Sequence, residues 1–113
     1  MKSKRVKIKH AVVLVNYGSC DDTLAAIASI KKTKDVPHII VIDNGSDAIV
    51  VDQLRSLGNS IELLTSDVNL GFSGANNLGI KRALRLGAQV IYLLNNDTLV
   101  DPNLFFRAYR SVA

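Results

Sequence analysis

Four short apolar runs are spaced along the chain, and a segment of helical pattern follows each. AVVLV at 11–15, HIIVI at 38–42, a third run at 61–65 and VIYLL at 90–94 have strand length. The first is a β-branched run without polar alternation, the pattern of a strand buried on both faces. Helices are predicted at about 22–32, from 46 or 47 through 57, from 73 to before 87, and from 102 onward. Asp21 or Asp22, Ser46 or Asp47, Ser73 and Asp101 are the expected caps, with Pro102 at a first helical position. A strand–helix alternation of this kind gives a mostly parallel sheet with helices on both faces. The expected fold class is therefore α/β, a Rossmann-like three-layer α/β/α arrangement. Right-handed crossovers favour the strand order 3-2-1-4. Ligands of such sheets bind at the carboxyl ends of the strands, where the order reverses. Here that point lies between the first and fourth strands.

The chain has 113 residues, enough for one domain. The expected division is a basic arm at 1–10 and one globular unit at 11–113. Lys2, Lys4, Arg5, Lys7 and Lys9 account for the formal charge of +4, since the rest carries nine basic against ten acidic residues. Basicity concentrated in an arm argues against a nucleic-acid groove. It allows peripheral contact with anionic headgroups, beside the plainer reading of a solvated tail. The start lacks the apolar stretch of a signal peptide, no run is long enough to span a bilayer, and the single Cys20 fits a reducing compartment. A cytoplasmic location is expected, with contact at the inner face of the membrane through the arm.

Polar residues crowd the predicted strand ends: Asn16 and Tyr17 after the first, Asp43 after the second, Asn95, Asn96 and Asp97 after the fourth. A carboxylate such as Asp43 can accept from a base N–H or a ribose hydroxyl, or it can bond its own turn. Asn95 and Asp97 place two oxygen-bearing side chains two residues apart. They can aim at one hard cation, or they can be simple turn residues. NLGFSGANNLG at 69–79 carries Gly71 and Gly74 ahead of a helix whose free N–H groups could face an anion. It is not the G-x-G-x-x-G of dinucleotide-binding proteins. His10 and His38 have no partner cluster in sequence and read as ordinary surface or packed histidines.

Taken in order, VVLVNYGSCDDT, VIDNGSD, NLGFSGANNLGI and YLLNNDTLVDP resemble the family 2 glycosyltransferases with a GT-A fold, of the rhamnosyltransferase-like kind. The resemblance runs from 12 to about 105. It implies the nucleotide-binding half of a GT-A fold, with Asn16 and Tyr17 lining a nucleoside pocket and Asp43 on the base or ribose. Asn69, Gly71, Asn76 and Asn96 would border the nucleotide, and Asp97 with Asn95 would hold Mg²⁺ or Mn²⁺ and the diphosphate. Asp43 and Asp97 would then converge on opposite ends of one ligand. Asn95 stands where the family's D-x-D pattern has its first acid. The implied donor is a nucleotide-diphospho-sugar, dTDP-rhamnose or a UDP-sugar, and the acceptor a glycan or lipid-linked saccharide.

In that family the general base and acceptor site follow the region covered here, so no residue of this chain is assigned as base. A non-catalytic nucleotide-sugar binding or assembly module is the alternative. A receiver-like domain would need an acidic pair after strand one, where Asn16-Tyr17 stand. The fourth strand is expected at an under-covered edge, with Ile91 and Leu93 exposed and a homodimer formed through them.

Overall fold

The computed structural model describes residues 8–112. Its elements run β1 (His10–Asn16), α1 (Asp21–Lys31), β2 (His38–Asn44), α2 (Ala48–Arg55), a 3-10 turn (Gly58–Ser60), β3 (Glu62–Ser66), α3 (Gly71–Arg85), β4 (Val90–Leu94) and α4 (Leu104–Val112). All three strand pairings are parallel and the order is β3-β2-β1-β4, as the alternation requires. Of the arm, residues 1–7 lie outside the described residues. Lys9 and His10 belong to the fold: the Lys9 carbonyl accepts from Gln89 N at 2.8 Å, and His10 opens β1.

Side-chain parity along the strands divides the core in two. Val12, Leu14, Ile39 and Val41 point to one face, where they pack with α1, with Leu54 of α2 and with Phe105 of α4. Ala11, Val13, Ile40 and Ile42 point to the other, where Ala75 and Ala83 of α3 cover them. Three helices thus lie on one face and one on the other. This follows from two right-handed crossovers in one direction and a third that returns across the sheet. The single covering helix comes very close: a Cβ added at Gly79 would collide with Val13 Cγ1. On the same face β4 is under-covered at the sheet edge, and Leu93 is 50% exposed while Ile91 is half-buried against the α3 cluster.

The helix starts differ from the expected caps. α1 has Cys20 at the N-cap position, and Asp21 and Asp22 fall in its first turn without a capping bond, where their charge still suits the positive helix end. Asp47 does stand at the N-cap of α2, one of the two expected positions, but without a side-chain bond; its carbonyl accepts from Val50 N and Val51 N. α2 ends at Arg55, two residues short of the expected 57. α3 begins at Gly71, so Ser73 sits inside it. α4 begins at Leu104, and Pro102 lies in the preceding turn, where Asp101 Oδ1 accepts from Asn103 N. At α3 the reason is clear. Its first donors are met from outside the helix, by Asn44 and Asn69.

Candidate functional site

The carboxyl ends of β1, β2 and β4 surround a cleft of about 460 Å³. β1 contributes Val15 and Tyr17, β2 contributes Asn44, and the α3 entrance contributes Asn69, Gly71 and Phe72. Asn95, Asn96 and Asp97 after β4 close the far side. The cleft opens on the α3 face. Val15 and Asn44 have the parity of that face, continuing the rows of Val13 and Ile42.

Asn16 and Asp43 have the opposite parity, and so lie beneath the cleft rather than in it. Both side chains are fully buried. Asn16 Nδ2 donates to Asp43 Oδ1 at 3.2 Å and to the Gly18 carbonyl at 3.1 Å. Asp43 Oδ2 accepts from Ser46 N at 2.9 Å, and Gly18 N donates to Ser46 Oγ at 2.9 Å. Asn16 Oδ1 accepts from Thr23 Oγ1 at 2.6 Å, and Asn96 Nδ2 donates to the same hydroxyl at 3.0 Å. One polar chain therefore ties the loops after β4, β1 and β2 together through α1. Buried polar groups are tolerated only when satisfied in this way, and they then fix one geometry.

A second cluster holds the α3 entrance. Asn44 Nδ2 donates to Asn69 Oδ1 at 2.9 Å and to the Gly71 carbonyl at 3.3 Å. Asn44 Oδ1 accepts from Leu70 N at 2.7 Å, and Asn69 Oδ1 accepts from Gly71 N at 2.8 Å. Gly45 lets this loop approach β2. It has φ +90°, and any Cβ there would stand 2.9 Å from the Val68 carbonyl carbon.

Of the residues expected at the site, Tyr17, Asn69, Gly71, Asn95, Asn96 and Asp97 come together around one cleft. Asn16, Asp43 and Asn76 do not line it. Asn76 lies within α3, on its buried side. The Asp43 carboxylate reaches the same end of the sheet as Asp97, but its bonds run inward to Asn16 and Ser46. The sequence reading missed Val15, Asn44 and Phe72. Strand parity was the available signal for Asn44, which stands one residue past Asp43, and an aromatic between two glycines was the signal for Phe72. Tyr17 and Phe72 both present exposed rings to the cleft, 62% and 60% accessible.

Among the described residues there is no group of three or more His, Cys, Asp or Glu placed to hold a metal ion. The donor set at the cleft is one carboxylate, Asp97, with the amide oxygens of Asn95 and Asn96 beside it. Such a set suits a hard cation that takes most of its shell from water and a phosphate ligand.

The sheet order and the cleft at its switch point define a GT-A or Rossmann-like α/β domain. The chain belongs to glycosyl transferase family 2, whose family model matches residues 11–112. Its fold is similar to that of S. aureus TarS, with TM-score 0.72 and 19% identity over 88% of this chain and 19% of that one. It is similar also to S. aureus TarS 1-349 in complex with UDP-GlcNAc, with TM-score 0.67 and 18% identity over 90% of this chain and 30% of that one. A 4-diphosphocytidyl-2C-methyl-D-erythritol synthase shares the fold at TM-score 0.62 and 10% identity, over 80% of this chain and 47% of that one. The chain thus spans less than half the length of each. No curated protein sequence matches it significantly.

Proposed function

We propose that the chain is the donor-binding part of an inverting glycosyltransferase that uses a nucleotide-diphospho-sugar, dTDP-rhamnose or a UDP-sugar. The observation that carries this reading is the polar cleft at the switch point, with Tyr17 and Asp97 on its walls and the α3 entrance between them. Tyr17 offers a ring on which a base can stack. The positive end of α3 lies at the cleft, with Gly71 and Phe72 on its wall, and suits a diphosphate there. Asn95 and Asp97 would hold Mg²⁺ or Mn²⁺, which neutralises charge on the departing nucleoside diphosphate. Asn16 and Asp43 support the reading from below, by fixing Tyr17 and the loop after β2. The UDP-GlcNAc complex of S. aureus TarS 1-349 lends support to a nucleotide sugar as ligand.

The acceptor is proposed to be a glycan or lipid-linked saccharide at the inner face of the membrane, with the arm as a peripheral contact. Among the described residues no helix is long and apolar enough to cross a membrane. Calorimetry with UDP and dTDP, with and without Mn²⁺, tests the donor reading. Metal-enhanced binding of either supports it, and no binding of both overturns it. Transfer assays beside the titration separate an enzyme from a binding module, which would bind without turnover.

A further inference from the structure

We infer that Asn44 is a positioning residue of the cleft, which turns the side-chain amide of Asn69 so that only its hydrogens are left for a ligand. The inference rests on the donor reading and deepens it, because it names the group of the nucleotide that can be met there: an acceptor oxygen. Two backbone N–H groups decide both amides. Leu70 N donates to Asn44 Oδ1 at 2.7 Å, so the oxygen of Asn44 must stand on that side. Asn44 Nδ2 is thereby turned to two acceptors, Asn69 Oδ1 at 2.9 Å and the Gly71 carbonyl at 3.3 Å. Gly71 N donates to the same Asn69 Oδ1 at 2.8 Å. Turning either amide round would set donor against donor or oxygen against oxygen.

The two asparagines differ in what they have left to offer. Asn44 is 3% exposed and both its amide hydrogens are engaged, so it has none for a ligand. Asn69 is exposed and lines the cleft, and its Nδ2 makes no hydrogen bond among the described residues. A Cβ at Gly45 would stand 3.0 Å from Asn69 N, so this loop lies directly on the end of β2 and Asn69 has little room to shift. Among the described residues, no lysine, arginine or histidine lines the cleft. Ligand oxygens must therefore be met by a metal ion or by uncharged donors. An amide held with its hydrogens outward meets a base carbonyl or a diphosphate oxygen, and it opposes a donor placed there.

NMR of the ligand-free chain tests the orientation. Hydrogen exchange of the Asn44 side-chain amide is expected to be slow and that of Asn69 fast. In Asn44→Asp the carboxylate still accepts from Leu70 N but has no hydrogen to give, so Asn69 must turn its Nδ2 inward and its exchange slows. Slow exchange at Asn69 in the wild type overturns the inference, whether or not the variant folds. Calorimetry with UDP and Mn²⁺ tests the consequence. Asn69→Ala, at an exposed position, and Asn44→Asp should each weaken binding by roughly tenfold. The double variant should be no weaker than Asn69→Ala, because Asn44 acts through Asn69. Wild-type affinity in both single variants overturns the inference. So does an Asn44→Asp loss that persists undiminished in the Asn69→Ala background, since that loss comes from the added charge. CDP and uridine identify the oxygen. A loss shared by uridine and not by CDP belongs to the base carbonyl, and one shared by CDP and not by uridine belongs to the diphosphate. A wild type that binds no nucleotide removes the donor reading and the ligand role of Asn69 with it, while the exchange rates still decide the orientation.

Discussion

Asn16 and Asp43 are register partners at the carboxyl ends of two parallel strands, and the amide of the first donates to the carboxylate of the second at 3.2 Å. The pair is fully buried, yet it carries the loops on which Tyr17 and Ser46 stand. Asp43→Ala leaves Ser46 N without its acceptor and removes one of the partners of Asn16. The expected cost is about 1–3 kcal/mol of stability, with weaker nucleotide binding as the loops loosen. Denaturant unfolding measures the first and calorimetry the second. Unchanged stability would show that the buried pair does not organise the loops.

Asp97 is exposed at the cleft and makes no side-chain bond among the described residues. Asp97→Ala should shift stability by less than about 0.5 kcal/mol. It should also abolish the gain in nucleotide affinity that Mn²⁺ confers. Metal-dependent binding that survives the change intact refutes Asp97 as the ligand.

Gly79→Ala puts a methyl group into Val13, where α3 meets β1. Alanine is the better helix former by about 1 kcal/mol. Overpacking against a central strand costs about 1–3 kcal/mol and should win. A lowered thermal midpoint is expected, and a raised one would show that α3 can lift from the sheet.

Acidification should destabilise the domain in two separate windows. His10 is 3% exposed, and burial holds its pKa below 6.5 against the opposing pull of Asp35, whose Oδ1 lies 3.6 Å away. Lys9 adds to the lowering, and Tyr92 and Tyr109 complete the surroundings. A lowered folded pKa means that the unfolded chain binds more protons. The contribution is present above 6.5 and is lost as pH falls through the folded value. For Glu62, burial opposes ionisation, but hydrogen bonds from His38 and Arg82 outweigh it and hold the pKa below 4.5. Its contribution is present above 4.5 and disappears below, through the lowered value. Thermal midpoints from pH 8 to 3, with NMR titration of His10, measure both. His10 titrating above 6.5 would contradict the first.

Leu93 projects from edge strand β4 on the under-covered face, half exposed. Self-association of the 113-residue chain through this edge is expected at high concentration, and Leu93→Lys should suppress it. Light scattering reads the outcome, and a wild-type monomer throughout would remove the prediction.

Strand positions, their order and the end of the sheet that holds the polar residues were all legible in the sequence. Buried parallel strands need continuous apolar runs, and crossover handedness leaves few orders open. The four runs at 11–15, 38–42, 61–65 and 90–94 each became a strand, the last with its expected bounds and the others with an edge shifted by one or two residues. Helix starts were less legible. The Leu70 N–H at the entrance of α3 is met by Asn44, an acceptor 26 residues away in the chain, which no local pattern announces.

Which side chains face the cleft was decided by the tertiary structure. Asp43 and Asn44 are neighbours of similar size and polarity, but successive residues of a strand point to opposite faces. Only the placement of α1 and α3 on those faces makes one a buried brace and the other a cleft wall. The sequence determined that a polar rim would form where the strand order reverses, because apolar runs must end and their loops must meet water. The packing of three helices on one face and one on the other determined which half of that rim stayed open.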